Sequence, residues 1–525
     1  MRNLIRPLKN SIYLSNITSD ELRKCLKTFS TTKSTPSNCG PMWIVSKATN
    51  MTLEIIAEIF NRCMSEGVFP DIIKTAEVIP VYKAGAKTNV QNYRPISLLN
   101  PFSKLFEKCL YDRLSNFFNR NHIINENQFG FKKNCSTENA ILKTVNEITT
   151  NLENSEMTLA LFLDLRKEFE TVNHRMLLDK LYKYGIRGRA HELISSYLTK
   201  RKQHVLVNNI RSHVREVKCA IPQGSTLGPL FFIIYINDIF GCSDFKITLF
   251  ADDAYLSITG KDANLIEHRA NRELMKVNDW LKFNRLSLNV EKSTFMLFTK
   301  SKQNKEIKLQ VGKNNLKSSD VVKYLGILID KNITWKNQIA KVESKIASAC
   351  WAMSKIKRLV NSETLKTIYY ATVYPHMVYC ISSWGGVPPT RRNHLIVLQK
   401  RAIRIISKVG YREHTSDLFH NLNLLKQPDI YKLRLLTIMH KINNGTWIGN
   451  IGLQKIDSLH QYSTRLSSNQ NYRLPSFPTN RGMNSFVYMG PTFWAEYPNE
   501  IKTLPLQSFK KTITKIMVEE YLVSN

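Results

Sequence analysis

The sequence has few acidic residues, no closely paired cysteines and no long apolar run. Only 42 Asp and Glu residues stand against 75 Lys and Arg residues, which leaves a net charge of +33 over 525 residues. A surface this basic attracts polyanions, because binding releases the counterions held by their phosphates. The charge therefore predicts a nucleic-acid partner, with a merely basic surface as the alternative.

The nine cysteines are scattered, and none are spaced as Cys-x-x-Cys, which excludes zinc knuckles and zinc ribbons. Dispersed thiols in a large chain are typical of a reducing compartment. The most apolar stretch, Gly228–Ile236, is far shorter than the roughly 20 residues of a membrane-spanning helix. The N-terminus also lacks the apolar core of a secretory signal. We therefore expect an intracellular, soluble protein that does not bind a membrane.

The remaining composition is that of a folded protein. Hydrophobic residues make up 43% of the chain, and at about 100–200 residues per domain the length predicts three or four structural units. Helical patterns predict helices over residues 19–26, 51–60, 104–117, 262–282, 335–360 and 391–408. Apolar and β-branched runs predict strands over residues 77–82, 157–165, 204–209 and 245–258.

The last two predicted helices combine an apolar stripe with a basic face. The first stripe consists of Trp335, Ile339, Val342, Ile346, Ala349, Met353 and Ile356. The cations outside the two stripes are Lys341, Lys345, Lys355, Lys357, Arg358, Arg391, Arg392, Lys400, Arg401 and Arg404. Each cation alone fits a solvated helix face, but the pair of helices predicts a surface that follows a nucleic-acid backbone.

Acidic residues occur within apolar sequence at two separate places. Asp252 and Asp253 lie between apolar runs, and Asp164 lies alone in an apolar strand pattern upstream. A buried carboxylate without a partner is costly, so the acidic pair points to a cation, although two Asp residues also suit a hairpin turn. Three carboxylates would supply hard oxygen ligands for two Mg²⁺ ions. Two such ions can activate a 3′-hydroxyl and stabilise a leaving pyrophosphate.

The order of these motifs resembles a known family. Asp164, PQGSTLGPL (residues 222–230) and FADD (residues 250–253) are similar to motifs A, B and C of a reverse transcriptase. The flanking blocks resemble the non-LTR (LINE-type), jockey-like retrotransposon branch. These blocks are VIPVYK (78–83), NYRPISLL (92–99), SKLFEK (103–108), NQFGFKKNCSTE (127–138), VNH (172–174), LSLNVEKSTFMLF (286–298) and VKYLGIL (322–328).

The resemblance implies roles for individual residues. Asp164, Asp252 and Asp253 would bind the metals, together with the backbone carbonyl of Leu165. Phe169 would stack under the sugar and exclude a ribose 2′-hydroxyl. The other implied nucleotide or template contacts are Gln223, Gly224, Lys132, Arg94 and Lys83, with Lys292 as the proton donor to pyrophosphate. The implied primer grip is Tyr324, Leu325 and Gly326. For each flanking residue, plain support of the fold is the alternative.

The implied fold is α+β, a right-hand polymerase of fingers, palm and thumb with an antiparallel palm sheet and helical N- and C-terminal regions. We expect a helical N-terminal extension over residues 1–60 and fingers and palm over 61–330. A helical thumb and basic region would follow over 331–450, and a C-terminal tail region over 451–525. The implied activity is RNA-directed DNA polymerization with two Mg²⁺ ions, or Mn²⁺ in their place. Its partners would be an RNA template, a DNA primer or RNA–DNA hybrid, and dNTPs.

The chain departs from the family pattern after Asp164. Glu168 replaces a small alanine beside the nucleotide, where added bulk typically costs about 1–3 kcal/mol and the charge opposes the triphosphate. Lys132 replaces an arginine and loses its bidentate grip on phosphate, and the small-residue element at residues 34–42 is degraded. These departures predict weakened activity. A catalytically impaired nucleic-acid-binding protein is therefore the alternative function.

Two other enzyme classes share this type of palm. An RNA-dependent RNA polymerase is disfavoured by Phe169 and by the alanine before the Asp pair, and an organellar intron maturase by the Leu-Gly-Pro context at residues 227–229. No endonuclease or RNase H pattern is recognised, so we expect endonuclease activity to come from another chain. The lifestyle of such elements implies function in the nucleus, with the cytoplasm as the alternative.

Overall fold

The structure is a computed structural model that describes residues 4–29, 34–37, 39–166, 169–300, 306–456 and 470–523. Its helices up to the second half of the chain are α1 (Ser19–Lys27), α2 (Met42–Ser46), α3 (Asn50–Glu66), α4 (Pro101–Arg120), α5 (Thr137–Glu153), α6 (His174–Lys183), α7 (Arg189–Leu198), α8 (Gly228–Ile236) and α9 (Ala263–Phe283). The later helices are α10 (Lys336–Ile356), α11 (Ser362–Thr372), α12 (Tyr374–Val378), α13 (Ile381–Trp384), α14 (Pro389–Ile406), α15 (Ser416–Asn421), α16 (Gln427–Asn443), α17 (Asn480–Met483), α18 (Phe486–Ala495), α19 (Asn499–Lys502) and α20 (Leu506–Val523).

The strands are mostly short and concentrate before residue 331. They are β1 (Ala76–Tyr82), β2 (Tyr93–Leu98), β3 (Met157–Leu163), β4 (Leu165–Arg166), β5 (Arg201–Val207), β6 (Ile210–Arg211), β7 (Arg215–Val217), β8 (Lys246–Phe250), β9 (Asp253–Gly260), β10 (Ser287–Leu288), β11 (Thr294–Phe298), β12 (Gln310–Val311), β13 (Asn314–Asn315), β14 (Lys317–Ser318), β15 (Val321–Tyr324) and β16 (Ile327–Asp330). The chain is therefore a mixed α and β protein whose later part is helical.

The central sheet has the strand order β14-β11-β3-β9-β8. Strand β3 pairs antiparallel with both β9 and β11, and β8 and β9 form a hairpin. The antiparallel sheet expected from the resemblance holds for these four strands but not for the edge, where β14 runs parallel to β11. A parallel pair needs a connection that returns the chain to the starting end, and the β12–β13 hairpin lies in that connection.

The two faces of the central sheet pack on different helices. Successive side chains of a strand point to opposite faces, and Leu159, Leu161 and Leu163 pack in one hydrophobic cluster with residues of α8 and α9. Ala160 and Phe162 pack in a second cluster with residues of α5, α10 and the C-terminal helices. The sheet is therefore buried on both sides, and the ends of its strands are where polar groups can meet solvent.

A second sheet lies next to the segment that contains the Pro-Gln-Gly motif. Its order is β2-β1-β5-β6, with β7 also pairing with β5. Strands β1 and β2 are antiparallel, whereas β1 and β5 are parallel, with Val78 opposite Val205. The backbone N–H of Ser97 in β2 donates to the carbonyl oxygen of Gln223 at 2.6 Å, which joins this sheet to the motif.

The predicted helices and strands are confirmed, with modest changes of extent. The basic helices correspond to α10 and α14, which pack against one another. Helices α6, α7 and α8 lie between the strands predicted over residues 157–165, 204–209 and 245–258. The apolar stretch at residues 228–236 is α8, which is buried almost throughout. Helix α3 runs across residue 60, the expected end of the N-terminal extension.

All nine cysteines are free thiols, in agreement with the absence of a disulfide pattern in the sequence. Within the described ranges, no helix has both the length and the apolar character needed to cross a membrane.

Candidate active site

Strand pairing brings the two acidic motifs to the same edge of the central sheet. Leu163 is opposite Ala254 in the antiparallel β3–β9 pair. Asp164 directly follows Leu163, and Asp253 directly precedes Ala254, so the two aspartates are adjacent across the strand pair. Both aspartates line one cleft of about 280 Å³, together with Lys292 and Leu325. The acidic residues that are far apart in sequence are therefore neighbours in the fold.

A loop after β10 holds Asp164 in place. The N–H of Asn289 donates to the backbone oxygen of Asp164 at 2.8 Å, and the Asn289 side-chain amide donates to Asp164 Oδ2 at 3.0 Å. Ser293 Oγ accepts from the Asp164 N–H at 3.2 Å and donates to the Asn289 carbonyl oxygen at 2.8 Å. The same loop carries Lys292, which explains how this exposed lysine comes to line the cleft.

Asp252 and Asp253 lie in a tight hairpin turn between β8 and β9. Phe250 pairs with Asp253 across the turn, and Ala251 has a φ of 56°, which is unusual for a residue other than glycine. Burial raises the pKa of Asp253 to about 6, and the charges of Asp252 and Asp164 add to the rise. The pKa of Asp252 is also raised by burial and by Asp164. The negative charges of these carboxylates therefore interact with one another.

The donor set suits a divalent cation. Carboxylate oxygens are the ligands that Mg²⁺ prefers, and a bound cation would offset both the burial and the repulsion that raise the pKa of Asp253. The side chains are not gathered into a finished site: among the described residues, no group of three His, Cys, Asp or Glu side chains is placed to hold a metal ion.

The Pro-Gln-Gly motif forms a loop that packs on β2. Gly224 has a φ of +120°, and a Cβ at this position would lie 2.5 Å from the carbonyl oxygen of Ser97, so only glycine fits. The following residues are held by Glu107 of α4, whose carboxylate accepts from the N–H of Thr226 at 2.6 Å. Glu107 is fully buried, and burial raises its pKa. The loop is thus fixed from two sides.

Phe169 lies between α8 and the Gly-Phe-Lys loop, which contains residues 130–132. Its ring stacks on Phe232 at a centroid distance of 4.9 Å and meets the edge of Phe131 at 6.2 Å. Lys132 of the same loop is half-buried, and its Nζ donates to the carbonyl oxygen of Asn125 at 3.3 Å. This bond uses one of the three N–H donors of the Lys132 ammonium group.

Two cations of the β1–β2 hairpin interact electrostatically with the aspartates. Arg94 and Lys83 are exposed, and the positive charge of each opposes the rise in the pKa of Asp252 that burial causes. Lys83 acts in the same way on Asp253. The predicted contact of these two residues with a nucleotide or template stays a prediction.

The predicted primer grip is the tip of the β15–β16 hairpin. Tyr324 is buried, and its ring packs on Phe162 at 5.3 Å, so its side chain does not face solvent. Leu325 and Gly326 form the turn, with φ values of 42° and 89°. Lys341 Nζ donates to the Gly326 oxygen at 2.6 Å. Any contact with a primer would therefore come from the turn, next to the cleft that Leu325 lines.

Three residues that position the site have no signal of their own in the sequence. Asn289, Glu107 and the buried Gln128 lie within the family-like blocks, but the resemblance implies no role for them. Their partners lie 125, 119 and 123 residues away in the chain, so no local pattern could reveal them. Glu168, expected to obstruct the nucleotide, lies outside the described residues.

A comparison with protein families defines the class. Residues 82–329 match the model of the family described as reverse transcriptase (RNA-dependent DNA polymerase). Residues 82–329 of the chain therefore form a reverse transcriptase domain, as predicted from the resemblance.

Curated relatives identify the branch more closely. The chain is 24% identical over 450 residues to the RNA-directed DNA polymerase from mobile element jockey of Drosophila melanogaster, which covers 83% of this chain and 49% of the relative. It is 27% identical to the probable RNA-directed DNA polymerase from transposon BS of the same species, over 80% of this chain and 48% of the relative. It is 26% identical to the probable RNA-directed DNA polymerase from transposon X-element of that species, over 81% of this chain and 46% of the relative. The chain is thus similar to these retrotransposon polymerases, in agreement with the resemblance in the sequence, and spans about half the length of these relatives.

Proposed function

We propose that the chain is an RNA-directed DNA polymerase that adds dNTPs to the 3′-hydroxyl of a primer paired with an RNA template. The observation that carries this proposal is the β3–β9 register, which puts Asp164 beside Asp253 on one cleft. The right-hand arrangement of fingers, palm and thumb is part of the proposal. The central sheet would serve as the palm, and the β1–β2 hairpin would belong to the fingers.

The proposed reaction is a transfer of a nucleotidyl group. The primer 3′-oxygen forms a bond to the α-phosphorus of the dNTP, and the bond from that phosphorus to the pyrophosphate oxygen breaks. The chemistry supplied by two bound Mg²⁺ ions would be activation of the 3′-hydroxyl and neutralisation of the pyrophosphate charge, with Asp164, Asp252 and Asp253 as their ligands. Mn²⁺ has the same preference for oxygen and could replace Mg²⁺.

The remaining residues would bind and orient the substrates. Gln223 and Gly224 would contact the nucleotide and template, Phe169 would lie under the sugar, and Lys292 would donate a proton to the leaving pyrophosphate. Arg94, Lys83 and Lys132 would counter the triphosphate charge. Such positioning and charge stabilisation account for most of the catalysis in phosphoryl transfer.

Primer extension tests the proposal directly. With a poly(rA) template, an oligo(dT) primer, dTTP and Mg²⁺, we expect incorporation that disappears in the double variant Asp252→Ala/Asp253→Ala. Incorporation no greater than in this variant would reject the polymerase. Binding of the hybrid without turnover would then favour the alternative, an impaired nucleic-acid-binding protein.

The alternative of an impaired nucleic-acid-binding protein rests on the Glu168 side chain. If its bulk and charge hinder the nucleotide, Glu168→Ala raises the extension rate, mainly through a lower KM for dTTP. An unchanged rate and KM would remove the argument that this copy is impaired. Preference for dNTPs over rNTPs, relaxed by Phe169→Ala, would separate the proposal from an RNA polymerase.

A further inference from the structure

The acidic turn is attached to the Gly-Phe-Lys loop by backbone pairing. The N–H of Phe129 donates to the carbonyl oxygen of Leu249 at 2.8 Å, and the N–H of Leu249 donates to the carbonyl oxygen of Asn127 at 2.9 Å. Gln128 is thereby placed opposite Leu249, directly before the turn that carries Asp252 and Asp253. The loop runs along the edge of β8 as a short additional strand.

The loop approaches the turn more closely than a side chain would permit. A Cβ added at Gly130 would lie 2.1 Å from the backbone nitrogen of Ala251 and 2.8 Å from its Cα. Contacts this short do not occur between real atoms, so Gly130 must be a glycine. The backbone of the turn is thus in direct contact with the backbone of the loop.

The side chain of Gln128 joins the two backbones. Its Oε1 accepts from the N–H of Gly130 at 2.8 Å and from the N–H of Ala251 at 3.1 Å. Gln128 and Ala251 are 1% and 5% exposed, so water cannot easily replace either bond. Since both partners are donors, only the oxygen end of the amide fits here.

Charge explains why this residue is Gln rather than Glu. Gln128 Nε2 is buried and has no hydrogen-bond partner, and a carboxylate oxygen in its place would be equally unpaired and would be charged as well. A carboxylate would also add another negative charge near Asp252 and Asp253, which already repel one another. A neutral acceptor supplies the two bonds without that charge.

We propose that Gln128 is a positioning residue that fixes the Ala251–Asp253 turn and ties it to the Gly130–Lys132 loop. The inference rests on the proposed function, because the turn carries two of the proposed metal ligands. With this bond in place, the loop expected to contact the triphosphate and the carboxylates expected to bind the metals keep a constant spacing. Without it, the turn can rotate about Ala251, whose left-handed conformation is not one that alanine prefers.

Hydrogen exchange of the full chain tests the positioning directly and needs no metal. The variant Gln128→Met keeps the volume of the side chain but removes the acceptor. We expect peptides that span residues 248–255 to exchange about tenfold faster, the factor that corresponds to losing a buried hydrogen-bond partner. Unchanged exchange in these peptides would overturn the proposal.

A matched control separates positioning from general loss of stability. Gln399 is also fully buried, and its Oε1 accepts from the N–H of Gln427 at 2.8 Å. Gln399→Met should therefore destabilise the protein without changing exchange at residues 248–255. Equal acceleration there by both variants would also overturn the proposal.

Mn²⁺ titration followed by electron paramagnetic resonance adds a functional readout. Gln128→Met should weaken Mn²⁺ binding about tenfold, whereas Gln399→Met should leave it unchanged. Unchanged binding in Gln128→Met would overturn the inference. A wild-type chain that binds no Mn²⁺ would instead count against the proposed function, and the exchange experiment would still decide the role of Gln128.

If Gln128→Met fails to fold, Gly130→Ala is a second variant for the same test. Its added Cβ would push on Ala251, and it should accelerate exchange in the same peptides.

Discussion

At the scale of single residues, the candidate site depends on polar groups that hold parts of the protein in place rather than bind substrate. Asn289 donates to the Asp164 carboxylate, whereas Gln128 accepts from the acidic turn and Glu107 from the loop after Gly224. Buried acceptors such as Gln128 and Glu107 are expensive to lose, because the donor left behind keeps its full desolvation cost. The geometry of the site is therefore sensitive to residues that touch no substrate.

Glu107 gives a prediction at this scale. Replacing it with leucine leaves the N–H groups of Thr226 and Leu227 without their acceptor, which should lower stability by about 1–3 kcal/mol. The displaced loop should also raise the KM for dNTPs more than it lowers kcat. Thermal unfolding and steady-state kinetics measure the two effects. Glu107→Gln retains one acceptor oxygen and should fall between the wild type and Glu107→Leu, and a KM equal to that of the wild type in both would contradict this role.

At the scale of elements, helix α5 connects the central sheet to the C-terminal helices through a carboxylate at each end. Glu138 is bound by Ser382 Oγ at 2.6 Å and by the guanidinium of Arg434. Glu153 accepts from Thr479 Oγ1 at 2.7 Å and lies 3.8 Å from Arg481. Both carboxylates are almost completely buried. The helix behind the sheet is thus fastened to segments about 300 residues further along the chain.

Breaking one of these attachments should be costly. Arg434→Met leaves the buried Glu138 carboxylate with the hydrogen bond from Ser382 Oγ but without its guanidinium partner, and removal of one partner of a buried pair typically costs about 3 kcal/mol or more. The double variant Arg434→Met/Glu138→Gln removes the stranded charge and should recover part of the loss. Chemical denaturation of the four proteins of the cycle measures the coupling. A single variant as stable as the wild type would show that Arg434 does not stabilise this contact.

The elements were more predictable than their contacts. Local periodicity was sufficient for α10 and α14 and for the β8–β9 hairpin, because these patterns depend on neighbours in sequence. The resemblance correctly associated Asp164 with the acidic pair. The parallel β1–β5 and β11–β14 pairs, the Gln128 bonds and the α5 attachments join residues distant in the chain. Such contacts depend on how the helices and strands pack in three dimensions, and the local sequence pattern around each residue contains no signal for that packing.

At the scale of the whole molecule, the excess of basic residues makes affinity for nucleic acid dependent on salt. Helices α10 and α14 bury their apolar stripes against one another and leave Lys345, Lys355 and Arg401 exposed. Cations that contact phosphates release counterions when they bind. The net charge of +33 therefore has a measurable consequence for binding, independent of catalysis.

We expect binding of an RNA–DNA hybrid to weaken at least about tenfold between roughly 50 and 200 mM salt. The triple variant Lys345→Gln/Lys355→Gln/Arg401→Gln should flatten the slope of log K against log salt by about one unit per phosphate contact removed. Lys24→Gln/Lys27→Gln in α1 provides a control with exposed lysines outside the two helices. Equal slopes for the two sets of variants would show that α10 and α14 are ordinary solvated surfaces.

The central claim is that acidic residues from two distant motifs share one cation, and iron(II) in place of Mg²⁺ tests it most directly. With a reductant and peroxide, bound iron(II) produces radicals that cut the nearby backbone, and mass spectrometry locates the cuts. We predict cleavage near residue 164 and near residues 252–253 together, suppressed by excess Mg²⁺ and lost in Asp253→Asn. Cleavage at only one of these segments, or at neither, would contradict the account.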